Sequence, residues 1–201
     1  MTYLDIGSNL YISSIEATGS IGLFENLYKI GMVVQIAGSV DGRKRFQKSI
    51  HILKTIGFDF DEQYRWGNYG PYSLTLASEI QTMKEANYLR EDRQPGSEMY
   101  VYRLTEEGKA FLEHNSVKSE QESFDRAVLV LSKKEVEKLE LLSTCLFIWR
   151  SEDTADSMVK LVKYLKTKYS LEEIQSCVDV AGMINRANSA QDKISIIEQK
   201  L

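Results

Sequence analysis

Arg43, Lys44, Arg45, Lys48 and Lys54 place five positive charges within twelve residues of a chain in which acids outnumber bases, and His51 lies among them. The apolar residues of the same stretch, Phe46, Ile50, Leu53 and Ile56, recur at spacings of four, three and three. That period predicts a helix over 43–56 with one apolar and one basic face. A basic helix face suits the phosphates of a nucleic acid. The plainer reading is a solvated surface. Positive side chains near a helix start oppose its macrodipole, which favours an outside anion or a carboxylate partner such as the Asp59-Phe-Asp-Glu62 run.

A second set occupies residues 58–72, where six of fifteen residues are aromatic and two Gly and one Pro shape a loop. Tyr64, Trp66, Tyr69 and Tyr72 are candidate partner-binding residues. Exposed, they would offer a platform to a protein or a base, with Arg65 beside Trp66 to support stacking. Packed inward, they would make an ordinary structural turn. Asp59, Asp61 and Glu62 are acids of the kind that bind Mg²⁺ or move protons, but no His, Lys or third ligand stands at a useful spacing, so a solvated loop is expected. Ser78, Gln81 and Thr82 could touch base edges, and Arg90, Arg93 and Arg103 add charge downstream. Glu79 and Glu85 leave their own segment, 74–86, at a net −1, which counts against ordinary major-groove reading. Cys145 and Cys177 read as small buried hydrophobes, and His51 and His114 have no spaced partner. No P-loop, HExxH or GxSxG occurs. No catalytic residue, metal or cofactor is expected.

These residues need elements to hold them. Residues 1–19 read as an arm or short strand, and 22–37 as a buried helix that stops at Gly38. Asp41 can cap the helix over 43–56, which Gly57 ends. Ser73 caps a third helix over 74–86. Tyr88–Arg93 and Glu98–Leu104 form a hairpin around Gln94-Pro95-Gly96-Ser97, and Thr105 caps a short helix after it. Polar residues 115–123 are the best linker. Helices are expected over 132–150, 154–168, 170–184 and 189–200, with capping-box spacing at Ser132/Glu135 and Ser170/Glu173. Leu139, Leu142, Leu146 and Trp149 form a stripe that is either internal or a dimer seam. Lys160, Lys163, Lys166 and Lys168 give the next helix a basic side, with a solvated face as the default. Three helices followed by a two-stranded hairpin is the order of a winged helix, with the third helix in the recognition position. The expected fold is therefore mainly α with minor α+β character: a winged helix-turn-helix domain with a two-stranded wing over 1–116, then an all-helical module over 124–201.

Gly42-Arg-Lys-Arg-Phe-Gln-Lys-Ser-Ile-His-Ile-Leu, followed by Tyr64-Arg-Trp-Gly-Asn-Tyr-Gly-Pro-Tyr-Ser, resembles the YwgA-like family of small bacterial proteins, and more loosely the Panacea (SocA-like) antitoxin domain. Both show a basic-Leu-Gln-Lys helix and then a Tyr-Gly-Pro-Tyr/Phe-Ser turn opening the next helix. Phe46 stands here where Leu is more usual. The resemblance covers about residues 20–113 and implies a winged-helix-like fold. Only the looser likeness implies an antitoxin or phage-defence context.

The 201 residues carry 25 Lys plus Arg against 29 Asp plus Glu, a net charge of −4. Residues 1–117 hold 12 positives and 15 acids, and residues 118–201 hold 13 and 14, so neither half is basic. Bulk charge cannot hold nucleic acid, and contact would be confined to local patches. Met1 to Asn9 lack the basic and apolar regions of a signal peptide, and no apolar run spans a bilayer. A cytoplasmic protein without a membrane partner is expected. The expected function is a non-enzymatic winged-helix regulator, homodimeric, binding DNA or another nucleic acid through Arg43, Lys44, Arg45, Lys48, Ser78, Gln81, Thr82, Arg90 and Arg93. The alternative is a protein–protein interaction module: an antitoxin-like inhibitor or a phage-defence or assembly subunit.

Overall fold

Residues 24–37 form helix α1, whose Leu27, Ile30, Val33 and Val34 are buried. The computed structural model describes residues 22, 24–94, 96, 99–114, 121–149 and 153–201. The expected arm over 1–19 lies outside them. A two-residue strand, β1 (Val40–Asp41), leads into α2 (Gly42–Ile56). Asp41 occupies the N-cap position, yet its side chain makes no capping bond. Gly57 closes α2 in the left-handed conformation, its N–H donating to the carbonyls of Leu53 and Lys54.

α2 is encased. Every residue from Phe46 to Leu53 is buried, as is Ile56. The expectation of a basic face open to water assumed solvent on one side. Instead α5 (Gln121–Ser132) and α6 (Val136–Ile148) pack on α2 from the C-terminal half, and the strands approach it elsewhere.

The aromatic stretch is not only a loop. β2 (Arg65–Gly67) and β3 (Gly70–Tyr72) pair antiparallel, with Trp66 opposite Pro71. Ser73 then caps α3 (Leu74–Glu85) by accepting from the Leu76 N–H at 3.2 Å. β4 (Leu89–Arg93) and β5 (Tyr100–Leu104) form the expected hairpin, and β1 joins it on the far edge of β5, giving an antiparallel sheet of order β1-β5-β4. Thr105 starts α4 (Glu106–His114), its Oγ1 accepting from the Gly108 N–H at 3.0 Å.

The second half is helical throughout the described residues: α5 (Gln121–Ser132), α6 (Val136–Ile148), α7 (Ala155–Leu165), α8 (Leu171–Arg186) and α9 (Ala190–Lys200). The Ser170/Glu173 capping box forms as expected. The Ser132/Glu135 box does not: Ser132 ends α5, its hydroxyl donates to the Leu129 carbonyl, and Glu135 sits at the N-cap of α6 without a side-chain bond. The polar residues 121–123, expected as linker, open α5; residues 115–120 lie outside the described set.

One cluster of buried hydrophobic side chains draws on both halves, with Ile50 and Leu53 of α2 joining Leu139, Leu142 and Leu146 of α6. The α6 stripe is thus covered within the chain. Phe58 meets Phe124 of α5 edge to face at 5.2 Å. Cys145 and Cys177 are free and buried, and burial raises both thiols, Cys177 to about 12. Among the described residues no helix is long and apolar enough to cross a membrane.

Candidate anion-binding cleft

The basic residues of α2 find partners inside the protein. Arg43 donates from Nε and Nη2 to Glu91 Oε1 at 3.3 and 3.2 Å, and from Nε to the Tyr102 hydroxyl at 3.2 Å. Lys84 Nζ reaches the other Glu91 oxygen at 2.5 Å, and the Tyr102 hydroxyl donates to Glu91 as well. Burial would raise the Glu91 carboxyl, but these donors hold it below the usual range. Arg45 donates to the carbonyls of Lys134 and Ser132, capping the end of α5. Lys54 donates to the Phe60 carbonyl. His51 is buried against Ser143, its Nδ1 3.0 Å from Oγ; burial first, then Lys48 and Lys54, push its pKa down to about 3 and keep the ring neutral.

Lys44 and Lys48 are placed differently. Glu140 of α6, also buried, accepts from Lys44 Nζ at 2.9 Å, Lys166 Nζ at 2.7 Å and Lys168 Nζ at 3.2 Å. Burial opposes its ionisation, yet hydrogen bonds from Lys166 and Lys44 hold its pKa at about 2. Lys48 is 2% exposed and donates to the Pro71 carbonyl at 2.5 Å. Among the described residues it has no carboxylate within ion-pair distance. Burial, and then Lys166 and Lys44, lower its pKa to about 8, so it remains charged at neutral pH. Three ammonium groups therefore stand around one carboxylate, with that of Lys48 beside them near Gly70. The solvated basic side expected of the α7 segment holds for Lys160 and Lys168, which are exposed, but not for Lys166, which is 7% exposed and faces Glu140.

The β2–β3 hairpin closes over this cluster. Gly70 has a φ of +86°, and a Cβ there would lie 2.9 Å from Thr144 Oγ1, 3.4 Å from Lys166 Nζ and 3.7 Å from Lys48 Nζ. Only glycine lets the hairpin come this near the lysines. The hairpin, with α2, walls a cleft of about 510 Å³ lined by Arg43, Lys44, Gln47, Lys48, Tyr69 and Tyr72, among others. Tyr69 is 66% exposed, with Lys44 Nζ 5.2 Å from its ring centre, and Lys166 Nζ lies 5.9 Å from that of Trp66. Trp66 and Tyr72 are also exposed. Tyr64 turns inward: its hydroxyl donates to the Gln47 carbonyl, and its ring meets His51 at 4.7 Å.

The remaining candidates lie on α3 and β4. Ser78, Gln81 and Thr82 are exposed. Gln81 donates to Glu85 at 2.9 Å, and the Thr82 hydroxyl to the Ser78 carbonyl at 3.0 Å. Gln81 shares a second, smaller cleft of about 180 Å³ with Arg43, Tyr72 and Lys84. Arg90 pairs with Asp92 at 3.1 Å, as Arg103 does at 3.4 Å, and Arg93 is exposed.

The solvated-loop expectation holds for Asp59 and Asp61 but fails for Glu62, which is fully buried. Asn26 Nδ2 donates to Glu62 Oε1 at 3.3 Å and to Glu79 Oε1 at 2.7 Å, while the second oxygen of each acid has no partner. Burial raises both carboxyls, Glu79 to about 7. Two sequence signals could have revealed such sites. Glu79 shares a helix face with Leu76, Ile80 and Met83, and Glu140 is the one charge between Leu139 and Ile148.

Fold and site together define a mainly helical protein with a small antiparallel sheet and a lysine-lined cleft beneath an aromatic hairpin. No family model matches the chain. It is 33% identical over 147 residues to "Uncharacterized protein YwgA" of Bacillus subtilis (strain 168), an alignment covering 72% of this chain and 87% of that protein. The chain belongs to the YwgA-like family.

Proposed function

We propose that the protein is a non-enzymatic regulator built on a winged helix, with α1–α3 as the helical part and β4–β5 as the wing, followed by a helical module. In this reading it holds nucleic acid at the lysine-rich cleft beside β2–β3 rather than along the exposed face of α3. The observation that carries it is the charge imbalance: three ammonium groups on the single carboxylate of Glu140, with the buried Lys48 beside them and paired to no carboxylate. Unbalanced charge held out of water is costly, and an arriving phosphate would offset it. The side chains of α3 bring no such excess, since Lys84 is bound to Glu91.

Mobility shifts of short DNA and RNA, single- and double-stranded, over a salt series test the reading. About three uncompensated charges predict a log–log salt slope of roughly −2 to −3. Replacing Lys44 or Lys168 by Gln should flatten that slope by about 1 each. Absence of binding to any of these at low salt overturns it.

A protein partner is the second reading, favoured by the exposed Leu74, Trp66, Tyr69 and Tyr72 and by the internal pairing of Arg43 and Arg45. The chain would then serve as an antitoxin-like inhibitor or an assembly subunit. Native co-purification tests it, and recovery of the chain alone under all conditions counts against it.

A further inference from the structure

Residues 58–64 run from the end of α2 to the start of β2 and alternate in burial. Phe58, Phe60 and Glu62 are buried, while Asp59, Asp61 and Gln63 are exposed. Phe58 and Phe60 both lie against Phe124 of α5. Glu62 is the charged exception on this inner face of the strap. It meets the second buried acid, Glu79 of α3, through one amide, since Asn26 of α1 donates from Nδ2 to both. The other end of that amide holds the strap itself, Asn26 Oδ1 accepting from the Asp61 N–H at 3.4 Å. One side chain thus ties α1, α3 and the strap together.

Asn26 is neutral and cannot balance two charges. The second oxygen of each acid is buried without a partner, and among the described residues neither acid forms an ion pair. The charged groups around them do not make up the deficit. Lys54 of α2 attracts Glu62, but its ammonium donates to the Phe60 carbonyl. Lys29 of α1 is held by Asp59 and Glu25. Asp61 adds a third negative charge, and the Tyr64 hydroxyl, kept protonated by burial and by the two acids, donates to the Gln47 carbonyl. Two carboxylates ionised together in such a place repel each other with little screening, and one proton held by the pair removes half of that charge.

From this geometry we infer that residues 58–64 are a proton-controlled latch, held down while the Glu62–Glu79 pair keeps a proton and released from α1 and α3 more often once the pair has lost it. The strap continues directly into β2, so its release also loosens the Tyr64 anchor of the β2–β3 hairpin on Gln47. The inference does not depend on what the protein binds.

Native-state hydrogen exchange of the full chain tests the latch, read by mass spectrometry at pH 5 and pH 8 in urea too dilute to unfold the protein, with intrinsic exchange rates divided out. Protection over 58–64 should fall at least about tenfold from pH 5 to pH 8, because a proton held up to about pH 7 instead of 4.5 is lost between them. It should lie at least about tenfold below that of α8 and hardly respond to urea, since a local opening exposes little surface and whole-chain unfolding exposes much. In the double variant Glu62→Gln/Glu79→Gln, which keeps both acceptors for Asn26 and has no proton to lose, the strap should exchange alike at the two pH values. If the double variant does not fold, Glu79→Gln takes its place and should shrink the fall at least about threefold.

Equal protection of the strap at pH 5 and pH 8 overturns the latch. So does a fall that survives undiminished in the variant. Strap protection equal to that of α8, with the same urea dependence, overturns it too, because the strap then opens only when the whole fold does.

Discussion

Replacing Glu79 by Gln should stabilise the protein above neutral pH and leave it nearly unchanged in acid. Glu79 lies on the inner face of α3, accepts a hydrogen bond from Asn26 of α1, and has Glu62 and Asp61 nearby. Burial lifts its pKa from an ordinary 4.5 to about 7, the Asn26 bond opposing and the two acids adding to the rise. The folded chain therefore binds this proton more tightly than the unfolded chain. The stabilisation is complete below about pH 4.5, declines as pH rises toward 7, and is gone above it. At about 1.4 kcal/mol per tenfold change in proton affinity, ionising Glu79 in place costs the folded state about 3 kcal/mol. Gln keeps the acceptor for Asn26 and never ionises. Urea denaturation of the two proteins between pH 4 and 8 measures the difference. The variant should be about 3 kcal/mol more stable at pH 8 and within about 1 kcal/mol at pH 4. Glu62 titrates in both proteins, and the difference reports Glu79 together with its repulsion of Glu62. Parallel curves, or a variant that loses ground as pH rises, would refute the account.

Gly70→Ala should cost about 2–3 kcal/mol in a thermal melt, combining left-handed backbone strain with the 2.9 Å approach to Thr144. Gly57→Ala, with φ +119° but nothing within 4 Å of its Cβ, should cost about 1 kcal/mol. Phe46→Leu removes the edge-to-face contact with Tyr102 at 5.4 Å and leaves space in a sealed site. A loss of about 1–2 kcal/mol in chemical denaturation is expected, with the midpoint moving and the slope constant. Ser73→Ala deletes the α3 cap and should lower stability by about 1 kcal/mol, read as a fall in melting temperature.

The long elements were legible because their signals are local. Ser73, Thr105 and the Ser170/Glu173 pair mark helix starts with side chains that do cap them. The β2–β3 hairpin was not legible: strands of three residues containing Gly and Pro leave no alternation to detect. Ser132 and Glu135 had the right spacing, but the helix breaks between them. The aromatic turn and the basic run were both recognised as places where chemistry could occur. What they do to each other was hidden, because it depends on Glu140 and Lys166, more than ninety residues after Lys44. Periodicity shows which side of a helix is polar. It does not show that a second helical layer will cover that side, as α6 covers α2.

The bond from Lys44 to Glu140 spans 96 residues of chain. A ribosome adding about 5–20 residues per second leaves an interval of roughly 5–20 s between the two. Through that time Lys44 exists without the acid that it pairs with, and α6 is not there to cover α2. The lysine cluster around Glu140 is consequently a late product of synthesis, complete only when the C-terminal helices have met α2. A nascent or truncated chain would leave Lys44 and Lys48 in water, and the finished protein holds Lys44 against Glu140 and buries Lys48.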